Sequence, residues 1–252
     1  MKHIFLFFLS ILITTDCHQA KKPDSELQVT VEGADIKDTK NDEEKSFPAL
    51  LNRLPYTDIV IPLSGKPDSK EDKELIINLE LLGRIWGFLK YHHPEVGKGK
   101  YDWDNELFRF LPEYVNVNDI GQRDETLLQW IDKYGEIPPC TTCQETAPDA
   151  FLKPDFSWIE NGNMKNDLKE KIMEIYRNRL QEELYYIKIA NDPFYYKINE
   201  KPDSFSSYPS TSVRLLTLYR YWNIIQYFFP YKYLTDKNWN DVLKESKYMT
   251  KK

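Results

Sequence analysis

Apolar residues along the middle of the chain recur at helical spacing. Leu75, Ile76, Leu79, Leu82, Trp86 and Leu89 fall on one face and predict a helix that Asp68 or Ser69 opens and Pro94 closes. After the loop at Val96 to Lys100, Asp102 opens a helix carrying Trp103, Leu107, Phe110 and Leu111. Asp124 to Tyr134 reads as a third helix with Leu127, Leu128 and Ile131 on one side. Asn166 to Leu184 predicts a fourth, with Leu168, Ile172, Ile175, Tyr176 and Leu180 as its buried stripe. Tyr185 to Ile189 and Phe194 to Ile198 are β-prone runs joined by Ala190-Asn-Asp-Pro193, which predicts a hairpin. Val213 to Phe228 is a further long helix, stopped by Pro230, and Asp236 to Trp239 opens the last one.

Two of these segments share a motif 136 positions apart (220 − 84 = 136). Arg84, Trp86, Tyr91, Pro94, Trp103 and Leu107 return as Arg220, Trp222, Tyr227, Pro230, Trp239 and Leu243. Leu79 and Leu82 return as Leu215 and Leu218. A long-period repeat marks one supersecondary unit used twice. The expected fold is therefore mainly α, with two related helical units and a small β-hairpin between them. The repeated residue types describe a scaffold and form no catalytic constellation. Trp86 and Trp222 are expected in the core, the alternative being an aromatic ligand platform. Arg84 and Arg220 are expected as structural anchors, since a guanidinium stacks on rings and forks onto carboxylates; ligand binding is the alternative.

Organisation follows from where this pattern starts and stops. Residues 1–17 read as a signal peptide, because Ile4 to Ile13 is an apolar run too short to span a bilayer permanently. Cys17 follows closely and is a candidate lipidated residue of a bacterial lipoprotein; ordinary secretion with cleavage near Cys17 or Ala20 is the other reading. Residues 18–70 are polar, and the run Asp38 to Ser46 holds no apolar residue, so this part is expected as a flexible linker. Residues 71–150 form the first helical unit with its Cys-x-x-Cys loop. Residues 151–211 hold a helix, the hairpin and a linker. Residues 212–252 form the second repeat unit, which runs into a Lys-rich tail and is expected to be truncated.

The aromatic fraction of 14% lets a chain with only 41% hydrophobic residues build a core from Trp, Tyr, Phe and Leu. The net charge of −6 argues against a nucleic-acid partner, which requires a basic face. Any membrane contact is expected only through the N-terminal lipid. Cys140 and Cys143 leave several chemistries open: a local disulfide or free loop thiols, a metal site with further ligands, or redox activity. His92 and His93 align with Phe228 and Phe229 of the second copy, so ring packing is expected over a metal or active site. Nucleophile elbows, S-x-x-K and H-E-x-x-H patterns and phosphate-binding glycine loops do not occur, and no cofactor is expected.

Three stretches carry a resemblance: Trp86 to Pro94 with Lys98 to Asp104; Arg214 to Pro230 with Tyr231 to Tyr233; and Cys140-x-x-Cys143 with Lys153 to Trp158 and Asn199 to Pro202. Over roughly residues 75–245 the chain resembles the N-terminal helical region of Bacteroidetes C-terminal-processing (tail-specific) serine peptidases. The resemblance implies an envelope or periplasmic setting and a following peptidase domain with a Ser nucleophile and a Lys base. It also implies that the partner is that domain or a peptide or protein substrate. No position here matches the catalytic motif, so no catalytic residue carries over, and the chain by itself is expected to be inactive. A stand-alone envelope binding module is the main alternative, and a redox or metal protein using the Cys pair is the second.

Overall fold

The computed structural model describes residues 59–64, 69–146, 149, 154–189, 196–200 and 209–245. The signal segment, Cys17 and most of the 18–70 linker lie outside these residues. The described part is mainly helical, with eight α-helices and one antiparallel pair of short strands.

Helix α1 (Lys70–His92) is opened by Ser69, whose side chain accepts the amide of Asp72 at 3.1 Å. From Leu81 to Tyr91 every residue is buried, so this helix runs through the middle of the fold and is covered all round. His93 has extended backbone, as Pro94 requires of the residue before it, and ends the helix. Pro94 then occupies the first turn of α2 (Pro94–Gly97). Gly99 has φ +74, and a β-carbon there would lie 2.3 Å from the ring of Tyr185, so only glycine fits this turn. Helix α3 (Trp103–Tyr114) and helix α4 (Ile120–Asp132) complete the first half.

The short α5 (Ser157–Glu160) precedes α6 (Asn166–Arg177). Strands β1 (Ile187–Ile189) and β2 (Tyr196–Ile198) pair in the register Ile187 to Ile198 and Ile189 to Tyr196. Their connection lies outside the described residues. Helix α7 (Thr211–Phe228), a 3₁₀ turn (Lys232–Leu234) and α8 (Trp239–Glu245) follow.

Helices α1 and α7 run side by side in the same direction, because successive positions meet in order. Tyr219 lies over Gly83, Asn223 against Gly87, and the Tyr91 and Tyr227 rings touch at 5.6 Å. A β-carbon at position 87 would sit 1.9 Å from Asn223 Cγ, so the two glycines let the helices approach closely. The contact is polar as well as tight. The Tyr219 hydroxyl donates to Leu79 O, and Asn223 Nδ2 donates to Gly83 O at 2.9 Å.

Three boundaries differ from the sequence reading. Helix α4 begins before Asp124, since Asp119 caps it through the Gln122 amide at 2.9 Å. Asp124 is instead fully buried, paired with Arg123 and accepting the Lys165 amide at 2.6 Å. Helix α6 stops at Arg177 and not at Leu184. The Leu180 amide donates to His92 O at 3.0 Å, and the Asn178 side chain is held by the Cys140 amide at 2.9 Å, so tertiary partners outcompete the next helical turn. The expected 18–70 linker also ends early. Ile59 and Ile61 are buried against the core, in a stretch that belongs to no helix or strand.

Candidate functional site

Each tryptophan pair forms a reciprocal clasp. Trp86 Nε1 donates to Trp103 O at 3.2 Å, and Trp103 Nε1 donates back to Trp86 O at 3.0 Å. Trp222 and Trp239 make the same exchange at 2.9 and 3.2 Å. A buried indole N–H needs an acceptor, and this exchange supplies one to each ring of the pair.

The arginines cross from one half to the other. Arg84 donates to Asn240 Oδ1 at 2.7 Å and Asn240 O at 3.0 Å, is held by Glu80 at 2.9 Å, and lies 4.8 Å above the Trp222 ring. Arg220 pairs with Asp104 and, at 3.3 Å, with Glu200. Asp104 and Asn240 each follow the second tryptophan of their clasp, so each arginine grips the residue beside the other half's Trp. Both guanidinium groups are thus engaged by residues of the fold itself.

Around Arg220 sits a cluster of buried charges. Lys90 has no exposed side-chain surface, and its Nζ donates to both Glu200 oxygens at 2.6 and 2.8 Å. It also lies 4.6 Å from the Trp86 ring and 4.5 Å from the Tyr186 ring. Lys90, Arg220, Asp104 and Glu200 thus make a neutral quartet. Burial pushes the Lys90 ammonium down, against the pull of Glu200 and Asp104. Burial likewise pushes the Glu200 carboxyl up, against Lys90. Desolvation therefore opposes the charged pair and their mutual attraction holds it. A lysine lowered in this way suits base chemistry only where a substrate reaches it. Here Nζ is closed in by two rings and a carboxylate, so the quartet ties the stretch after β2 to α1, α3 and α7.

Tyr91 and Tyr227 face each other at the far end of the helix pair, beside Pro94 and Pro230. His92 stacks on Phe88 at 4.5 Å and meets Tyr227 at 5.0 Å, with Nδ1 2.9 Å from Phe88 O. His93 caps α2, its Nδ1 accepting the Glu95 amide at 3.2 Å, while Nε2 is buried without a hydrogen-bond partner among the described residues. Burial pushes both rings from the ordinary 6.5 down to about 4. Both serve as neutral packing groups, in line with their alignment to Phe228 and Phe229. The pH consequence follows from the sign: between 6.5 and about 4 the unfolded chain binds more protons than the folded one. Stability is expected to fall as pH drops through that window, by about 3 kcal/mol for each ring. Urea melts of the wild type and His92→Phe at pH 7 and pH 4.5 check this; the variant should lose less stability on acidification.

Cys140 and Cys143 are joined in a disulfide with an S–S distance of 2.08 Å. The loop is tied to the end of α6 through Asn178 and through Arg179, which donates to Gln144 O at 2.7 Å. Among the described residues no group of three or more His, Cys, Asp or Glu side chains is arranged to hold a metal ion. No described helix is long and apolar enough to cross a membrane.

The sequence reading singled out the tryptophans and arginines but missed Lys90, Glu200, Asp104, Asn240 and Asn223. Lys90 stands inside an aromatic run, and Glu200 stands far off in a polar one, so their pairing left no local signal. Asp104 and Asn240 were findable, as polar residues at matching positions after each second tryptophan.

No family model, curated protein or solved structure matches the chain.

Proposed function

We propose that the chain is one helical unit used twice, serving as a non-catalytic accessory domain of an exported tail-specific-type serine peptidase. The observation that carries the accessory role is that the repeated side chains are spent on one another. The tryptophans satisfy each other's carbonyls, and the arginines hold Asn240 and Asp104 across the two halves. Groups saturated in this way brace a fold and are not available to turn over a substrate. Duplication is supported by the meeting of equal motif positions, Gly83 with Tyr219, Gly87 with Asn223 and Tyr91 with Tyr227, as an approximate two-fold axis along the helix pair requires. The peptidase setting rests on the sequence resemblance, and export rests on the Ile4 to Ile13 run.

The test is the size of the native product in its host, read with an antibody against residues 75–245. A band well above 30.0 kDa is expected. A band near 30.0 kDa less a signal segment favours the stand-alone binding module instead, a reading that the exposed Tyr221 and Phe229 also suit. The purified chain should leave a denatured protein substrate intact; hydrolysis blocked by a serine-reactive inhibitor overturns the proposal.

A further inference from the structure

The loop that follows α4 is held to the end of α6 by polar ties and one covalent bond, without apolar burial. No residue from 135 to 146 is buried. The Cys140 amide donates to Asn178 Oδ1 at 2.9 Å, and Arg179 Nη2 donates to Gln144 O at 2.7 Å. Cys143 Sγ lies 3.3 Å from Arg179 O. The disulfide therefore joins the two places where the loop is fastened: Cys140 carries one tie and Cys143 sits beside the other. Arg179 is itself folded back. Its Nη1 donates to Tyr176 O at 3.1 Å, and its guanidinium lies 4.6 Å from the Tyr176 ring. All of these contacts gather just beyond Arg177, where α6 stops.

A disulfide between positions three apart closes so small a loop that it adds little to global stability. Its effect is local. It restricts the conformations open to residues 140–144, and two hydrogen bonds then suffice to seat the loop. Without the restriction, hydrogen bonds of this kind net little against the backbone entropy of ordering the loop.

We propose that Cys140 and Cys143 form a redox latch: reduction by a dithiol releases residues 138–146 from the end of α6 and frees Arg179. A thiolate of the dithiol attacks one Sγ, the Sγ–Sγ bond breaks, and the other cysteine leaves as a thiolate that takes up a proton. The dithiol's second sulfur then displaces the first cysteine, which is protonated in turn. The reductant gives up two electrons and two protons and becomes a disulfide, and the pair becomes two thiols. A thiol hydrogen is a weak donor, so Cys143 against Arg179 O does not replace the covalent tie. The latch does not rest on the accessory-domain reading.

The experiment digests the full chain briefly with trypsin, before and after treatment with dithiothreitol. Mass spectrometry follows cleavage between Arg179 and Leu180, and alkylation by iodoacetamide counts the freed thiols. Trypsin cleaves only where the basic side chain can enter its S1 pocket, so the oxidised chain should resist at Arg179. Reduction should raise cleavage there by about tenfold or more, since proteolysis tracks the population of the locally open state. Far-UV circular dichroism should stay unchanged. The double variant Cys140→Ser, Cys143→Ser should behave as the reduced chain without any reductant. Equal cleavage at Arg179 in the oxidised and reduced chains overturns the proposal, as does a pair that dithiothreitol leaves closed to alkylation. A rise that appears equally after Arg84 and Lys90, both buried in α1, also overturns it, because reduction would then unfold the domain.

Discussion

Trp103→Ala is expected to destabilise the fold by about 4–5 kcal/mol, the upper part of the range for large aromatic truncations. The ring is 1% exposed, stacked on Trp130 and edged by Tyr134, so its loss leaves a cavity that two rigid neighbours cannot fill. It also leaves the Trp86 carbonyl without the indole donor that it now accepts from. Trp239→Ala removes the matching hydrogen bond to the Trp222 carbonyl, but its ring is half-buried and its stacked neighbour, Trp222, lies 6.4 Å away against 5.3 Å for Trp130 on Trp103. Its expected cost is about half as large, because less apolar area returns to water. Urea denaturation of both variants checks the order. Equal losses would mean that the clasp hydrogen bonds, and not the cover above them, set the energetics.

Glu200→Gln is expected to cost about 3–4 kcal/mol, since it leaves a buried cation without its partner. Lys90 has no exposed side-chain surface, and without Glu200 the quartet carries two cations against Asp104 alone. The double variant Lys90→Met, Glu200→Gln keeps the Arg220 to Asp104 pair and removes the imbalance. It should recover most of the loss, because a buried pair replaced by apolar groups of similar volume is often neutral. A double-mutant cycle in urea reads the coupling directly. Additive single-site losses would show that Lys90 is held by its two rings and not by Glu200.

The pH dependence of the two carboxylate and ammonium groups has opposite signs. Glu200, raised by burial, is relieved of its desolvation by protonation, so its contribution falls as pH rises from the ordinary carboxyl range to its raised value. Lys90, lowered by burial, gains as pH climbs from its lowered value toward 10.5. At neutral pH the quartet is therefore maintained by geometry, and a variant that loosens it exposes both costs together.

Much of the architecture was legible as periodicity. Leu75 to Leu89 and Val213 to Phe228 repeat at helical spacing, and prolines at 94 and 230 end both helices because they force the preceding residue into extended backbone. The ends of α4 and α6 were not legible. Asp124 is a good cap by type but is consumed by Arg123 and the Lys165 amide, and α6 is cut by hydrogen bonds from residues 38 to 88 positions away.

By itself the sequence determined that the described chain is mainly helical, that Trp86, Trp103, Trp222 and Trp239 belong to matched sets, and that His92 and His93 stand where Phe228 and Phe229 stand. These follow from residue type and spacing, which act within a few turns of helix. Tertiary structure alone decided which Trp carbonyl each indole meets, that Arg84 and Arg220 cross between halves, and that Lys90 is neutralised by Glu200, 110 positions away. It also decided that Trp103 is buried while Trp239 is half-buried. The physical reason is the same in each case: a buried polar group takes whichever partner the fold brings within about 3 Å, and distance along the chain carries no information about that.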